Sequence, residues 1–402
     1  MPGSTRRAII VGGSISGLFA GLLLRRAGWG VDIFERVAGE LSGRGAGIVV
    51  QPQFITQLRD IGLNPNDLGV NVTTRKLFDS AGNVTATHTC PQIMTAWETV
   101  YRLLRKAFPS ASYHRGLALV DFIEHGQNIV ARFSDGTERQ ADLLVGADGI
   151  RSSVRQICLP GLGPQYAGYI AWRGMIAERD MPAAIHAELF GFMSYGLPPG
   201  EQFLGYPVAG ADNDLQSGHR RYNVIWYRPA KESTELVDLL TDESSKFHSI
   251  SIPPPLIRKQ AIENMREAAQ RLLAPQFRDV VRLIGEPLLQ PIYDLETPRM
   301  AFGHVALIGD AAFVARPHVA AGVAKAAADA ASMVGVLSAE ADVATALRQF
   351  EADRLPINRR YIERARHLGA YLQAERTAAQ RTHSQRHSIP TAVLAETAVM
   401  DF

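Results

Sequence analysis

The apolar run Ala8 to Val11 is short, unbroken and followed at once by Gly12-Gly13-Ser14-Ile15-Ser16-Gly17. It predicts a strand buried on both faces that empties into a tight turn. The turn opens an apolar stretch of helical spacing, Leu18 to Ala27, and a second short strand, Val31 to Phe34, ends on Glu35. Phe54 to Ile61 reads as a short helix, and Val72 to Phe78 with Asn83 to Thr87 as a hairpin turned at Ser80-Ala81-Gly82. Met94 to Phe108 has helical spacing, with Trp97, Tyr101, Leu104 and Phe108 on one stripe. Leu117 to Glu124, Asn128 to Phe133 and Glu138 to Val145 form a predicted three-stranded meander with Asp135-Gly136 as its hairpin turn.

The texture changes at Gly168. Tyr169 to Arg173, Ala187 to Tyr195, Gln202 to Val208 and Arg221 to Tyr227 are short aromatic-rich runs separated by Pro-Pro-Gly and a polar loop, Gly210 to His219. They predict an antiparallel sheet distinct from the first unit. Pro253-Pro254-Pro255 interrupts the chain before a helical stretch, Ile257 to Leu273. Val305 to Ile308 is again a strand that ends in glycine and acid, Gly309-Asp310-Ala311-Ala312, and an alanine-rich helix follows to about Leu337. Ala341 to Gln380 reads as helical, and the tail from Thr377 is polar enough to fray. The expected class is α/β: a Rossmann-like nucleotide domain from residues 1–72, 98–165 and 297–340, an inserted antiparallel β-sheet substrate domain from 73–97 and 166–296, and a C-terminal helical region and tail, 341–402.

Composition narrows the partners. A net charge of +2 over 402 residues provides no long-range field for nucleic acid or anionic membrane. The two cysteines, Cys90 and Cys158, make no disulfide framework and have no metal-ligand spacing, so a cytoplasmic location and no metal are expected. The N-terminal apolar run is broken by glycines and Ser14 and lacks a small-residue cleavage pattern; neither a signal peptide nor a membrane span is expected.

Candidate chemistry begins at the first turn. Its backbone N–H groups and the positive end of the following helix can face a pyrophosphate, while Glu35 accepts hydrogen bonds from a ribose. The usual second glycine is Ser14 here, small and able to donate to phosphate. The acid favours an unphosphorylated ribose, hence FAD or NAD over NADP. Gly43, Gly45 and Gly47 alternate with other residues before an apolar strand. That pattern suits backbone passing a large flat group, or a flexible surface loop. A helix start at Ala321-Gly322 would offer partial positive charge to an anionic ring.

The N-terminal glycine turn, Gly146-Ala147-Asp148-Gly149 and Gly309-Asp310-Ala311-Ala312, in this order, resemble the single-component FAD-dependent aromatic hydroxylases over nearly the whole chain. Within them, Leu41-Ser42-Gly43 through Gln51-Pro52, Tyr169 to Gly174 and Arg316-Pro317-His318 look most like the 2,6-dihydroxypyridine 3-hydroxylase branch. The resemblance implies that Gly12, Ser14, Ile15, Ser16 and Gly17 hold the FAD pyrophosphate, with Glu35 on the adenosine ribose and Arg36 beside adenine. Arg102 would reach the phosphate and ribityl region, Asp310 the ribityl chain, and backbone from Ala321 through Gly322 to Val323 the flavin N1 and C2 carbonyl. Asp148 matches an acid serving FAD and nicotinamide; Arg44, Gly47, Ile48 and Val120 complete the expected cofactor set. Two departures matter: the family commonly has histidine where Phe313 stands and Gly-Gln-Gly where Ala320-Ala321-Gly322 stands.

The implied activity is a monooxygenase in which NAD(P)H reduces the flavin, O₂ adds as a C4a-hydroperoxide, and oxygen passes to a small hydroxylated aromatic or N-heteroaromatic ring, with hydroxypyridine favoured. Only one complete nucleotide turn occurs, so nicotinamide is expected as a visiting co-substrate. His318 is the catalytic candidate, since imidazole can accept a proton near neutral pH, although a histidine that merely packs there fits equally. Gln51, Arg173, Phe192, Tyr195, Tyr206, Pro317 and His318 are the expected substrate residues. An NAD-dependent dehydrogenase or flavin reductase and a non-catalytic flavin-binding protein are the alternatives. The expected partners are an aromatic substrate and O₂, and a homodimer is left open.

Overall fold

The computed structural model describes residues 6–41 and 47–400. The first strand, β1 (Arg7–Val11), lies mid-sheet because its residues beyond Arg7 are all buried, as a strand flanked on both edges and covered on both faces requires. It pairs in parallel with β2 (Gly30–Glu35) on one side and with Leu143–Gly146 on the other. The six-stranded sheet runs Ala301–Phe302, Val305–Leu307, Leu143–Gly146, β1, β2, Tyr113–Arg115. Helix α1 (Ile15–Arg26) packs against the 18-residue helix Gly322–Ala339, which in turn packs on Val343–Gly369.

A nine-stranded sheet forms the second layer, and Gln165–Ala177 and Arg221–Pro229 run antiparallel in its interior. One pair departs from the antiparallel expectation: Met193–Gly196 lies parallel to Val70–Phe78. The strand Gly47–Val50 also joins this sheet, pairing with the far end of Val84–Ala96. Leu119–His125, Asn128–Phe133 and Glu138–Ala141 make a separate three-stranded meander. Among the described residues, no helix is long and apolar enough to cross a membrane.

Four local expectations are corrected. Met94 to Ala96 are strand, not helix, because Thr95 and Ala96 pair with Ile48 and Gly47, and the helix begins at Trp97. The run Glu138 to Val145 divides at Asp142, whose carboxylate accepts the Arg7 N–H at 2.7 Å, and Leu143 onward leaves the meander for the central sheet. Ala183–Leu189 is a helix: Pro182 starts it, and Ile185 and Leu189, one turn apart, share its buried face. Finally, the described part of the tail is folded into two helices. Thr377 caps Ala378–His387 with a reciprocal box to Gln380, and Pro390–Glu396 follows as a further short helix.

Candidate functional site

The glycine turn is shaped by close approach. Gly12 has φ of 107°, and a Cβ there would lie 2.4 Å from the Ala147 carbonyl oxygen. On Gly17 a Cβ would lie 1.9 Å from the Gly12 carbonyl oxygen, so glycine lets α1 start directly beneath the turn. Ser14 is the N-cap of α1, yet its side chain makes no capping bond, and no acid occupies the first helical turn. The positive end of α1 is therefore left for something else. Both Glu35 oxygens hold this corner: one accepts the Gly13 N–H at 2.9 Å, the other the Val37 N–H at 2.9 Å.

One cavity of about 510 Å³ opens where β1 passes between β2 and Leu143–Gly146, the crevice beyond the strand ends at which open α/β sheets take ligands. Gly12, Ser14, Ile15, Ser16, Glu35 and Arg36 line one end. Asp148 enters from the second motif; its carboxylate accepts from the Ser152 hydroxyl at 2.5 Å and the Ser153 N–H at 2.6 Å. Burial pushes the Asp148 carboxyl up, against the pull of those hydrogen bonds. The fully buried Arg155 ties this motif to the third, donating to the Ile150 and Ala311 carbonyls at 2.6 and 2.9 Å.

Asp310 opens onto the cavity from a turn whose Gly309 has φ of 59°. Enclosure pushes its carboxyl up, opposed by the Lys325 ammonium and reinforced by Asp329. The turn rests on a buried charge cluster. Asp329 accepts the Gly309 N–H at 3.1 Å, the Arg354 guanidinium at 2.9 Å and the Asn358 amide at 3.0 Å, and faces Lys325 at 3.5 Å. Ala321, Gly322 and Val323, at the uncapped start of Gly322–Ala339, also line the cavity, so two helix amino ends enter one groove. Ala320, just before them, sits at φ of 47°, a left-handed conformation unusual for a residue with Cβ.

The far end is a chamber bounded by Gly47, Ile48, Arg173, Tyr206, Tyr227, Pro317 and His318. Arg173 donates to Gln290 at 2.7 Å. Burial raises the Tyr206 and Tyr227 phenols, the latter to about 12, although the Arg173 charge lowers both. His318 packs on Tyr227, ring centroids 4.6 Å apart, and its Nε2 meets the Tyr169 hydroxyl at 2.9 Å. Burial and the Arg316 guanidinium push the imidazole down to about 3. Near neutral pH His318 thus lines the chamber as an uncharged ring and a weaker base than a free imidazole.

Several expected residues do not line this cavity. Gly17 lies under the turn, and Val120 is 53% exposed beyond Leu119, where the lining ends. Arg102 is turned to Glu98 at 2.6 Å and to Asp212. Phe192 lies under the Lys76 ammonium, 3.3 Å from its ring centroid, outside the strand whose inward phase carries Met193. Tyr195 is buried, its hydroxyl on the Met193 sulfur at 3.3 Å, and Gln51 reaches the Ala398 carbonyl at 3.2 Å behind the wall. Arg44 lies outside the described residues. Sequence reading missed Tyr227, Arg316, Thr397 and Ala398, all on the cavity, and the Asp329 cluster behind it. Lys325 and Asp329, four apart in an otherwise alanine-rich helix, were a usable signal; nothing local marked Ala398.

The FAD binding domain family matches residues 5–210, and an FAD binding domain-like family matches 166–294. The 2,6-dihydroxypyridine 3-monooxygenase of Paenarthrobacter nicotinovorans is 33% identical, over 93% of this chain and 93% of its own. Among solved structures, 2,6-dihydroxypyridine-3-hydroxylase from Arthrobacter nicotinovorans superposes with a TM-score of 0.86 at 33% identity, covering 92% of this chain and 93% of that one. Klebsiella pneumoniae HpxO complexed with FAD and uric acid has a TM-score of 0.76 at 21% identity, covering 99% and 94%, a likeness of fold.

Proposed function

Since the chain belongs to the FAD-dependent aromatic-ring monooxygenases, we propose that it hydroxylates a small hydroxylated aromatic or N-heteroaromatic ring, with hydroxypyridines favoured. NAD(P)H and O₂ are the co-substrates: one oxygen atom enters the ring, the other leaves as water, and the nicotinamide supplies the two electrons. The observation that carries the reading is the single cavity joining two uncapped helix starts to a chamber of tyrosines and a guanidinium. The relative named as a 2,6-dihydroxypyridine 3-monooxygenase supports the hydroxypyridine class.

The residues fit a flavin dinucleotide. Ser16 Oγ is buried at the cavity without a protein partner, a donor waiting for an acceptor, and the first turn of α1 presents free N–H groups beside it. Gly12, Ser14, Ile15 and Ser16 would hold the pyrophosphate, and Glu35 would accept a ribose hydroxyl on the lone pairs its two backbone bonds leave free. Asp310 would take the ribityl chain, and Ala321 to Val323 the ring edge. When bound, FAD supplies the redox and oxygen-activating chemistry. Arg173 would favour a substrate that binds with its hydroxyl already ionised, the proton left to solvent, and the ring oxyanion is a better nucleophile. Tyr206, Tyr227, Pro317 and His318 orient the ring and exclude water.

The test is NADH and NADPH consumption with O₂ uptake across hydroxypyridines, hydroxybenzoates and purines, with product analysis. Stoichiometric hydroxylated hydroxypyridine supports the proposal. A FAD-loaded protein that oxidises nicotinamide without any hydroxylated product from the panel overturns it.

A further inference from the structure

Beyond the helix Pro390–Glu396, Thr397 and Ala398 line the same cavity as Tyr206 and His318. The Ala398 N–H donates to the His318 carbonyl at 2.6 Å, and the Ala398 carbonyl accepts from Gln92 at 2.8 Å and Gln51 at 3.2 Å. Ala398 has φ of 58°, so the chain bends into this position at a conformational cost.

The bend is held by Arg75, which is fully buried on the strand Val70–Phe78. Its guanidinium donates to the carbonyls of Leu394 at 2.6 Å and Thr397 at 2.7 Å, and to Gln92 at 2.6 Å. Those carbonyls are at the C-terminal end of the last helix, where unsatisfied acceptors and the helix dipole favour a cation. No carboxylate lies within ion-pair distance of Arg75 among the described residues. A buried charge whose acceptors are removed is strongly disfavoured, so the strand and the C-terminal segment need each other. Glu396 adds a second anchor, with Arg364 at 2.9 Å and His387 at 2.7 Å.

We infer that Thr397 and Ala398, held by Arg75, are specificity-determining residues: they wall the ring chamber and limit the size of the aromatic substrate on that side. This rests on the proposed ring hydroxylation. It differs from it in placing selectivity in the segment that follows Pro390–Glu396, on the sheet side of the chamber.

The experiment compares FAD-loaded wild type, Arg75→Met and a chain ending at Ile389. It measures kcat/KM for a monocyclic hydroxypyridine against a hydroxyquinoline, with flavin content and thermal unfolding as controls. Loosening the wall should reduce the monocyclic preference by about tenfold or more, the scale on which a pocket discriminates by size. An unchanged preference in both variants overturns the inference. Should neither variant retain flavin, Thr397→Phe decides: an added ring should cost about tenfold in monocyclic affinity with flavin content unchanged, and no loss overturns the inference. If wild type turns over no ring at all, the function reading fails alone. The wall is then judged by iodide quenching of bound-flavin fluorescence, which should increase in Arg75→Met and which overturns the inference if it does not.

Discussion

The Nε2 of His318 meets the hydroxyl of Tyr169 at 2.9 Å, in a pocket where both side chains are buried. Burial drives the Tyr169 phenol well above its ordinary value, so it stays protonated and its O–H can donate a hydrogen bond to the imidazole. The acceptor nitrogen of His318 is thereby engaged, and the ring is neutral above about pH 3. Its folded value lies below the unfolded 6.5, so between those two pH values the unfolded chain binds the extra proton and stability rises with pH. Replacing His318 with Gln should flatten the loss of thermal stability between pH 7 and pH 5. The pH profile of kcat/KM should keep its shape, since no ionisation of this residue falls in the working range.

Glu35 is a second test. Its two oxygens each accept a backbone N–H, from Gly13 and from Val37. Glu35→Gln places an amide N–H₂ against one of those donors and removes the charge. Hydrogen bonds to charged groups contribute about 1.5–3 kcal/mol. FAD affinity, measured by the fluorescence of released flavin on dilution, should fall about tenfold or more.

Asp329 carries the largest expected stability effect. With no exposure, it balances Arg354 and faces Lys325 while holding the Gly309 N–H. Asp329→Ala leaves the buried Arg354 without its carboxylate and Lys325 with Asp310 alone, and breaking such a cluster costs about 3–5 kcal/mol. A melt of the apoprotein should record that loss directly, and flavin content should fall with it because the Asp310 turn loses its support.

Ala320 gives a prediction of opposite sign. Its φ of 47° is disfavoured for a residue with Cβ by about 1–2 kcal/mol, and glycine carries no such penalty. Ala320→Gly should raise the midpoint of thermal unfolding.

Much of the nucleotide half was legible in the sequence because its signals are local. A buried strand, a glycine forced by a neighbouring carbonyl and a terminal acid announce themselves within one βαβ unit, and Gly12, Glu35, Asp148, Asp310 and Gly322 do reach one cavity. The chamber was less legible because strand phase decides it. Tyr206 points in, whereas Phe192 precedes its strand and turns to Lys76. The neutral state of His318 follows from tertiary burial and Arg316, which no spacing reveals. The folded tail depends on Arg75, more than 300 positions away, so its local polarity misled.

The groove draws Ser14 from the beginning of the chain and Gly322 from its last quarter, with the Val305–Leu307 strand between Leu143–Gly146 and the sheet edge. During synthesis, then, the glycine turn emerges from the ribosome long before Gly322. An isolated amino-terminal half, though it bears the complete glycine turn, should therefore be recovered colourless, because half of the groove is missing from it.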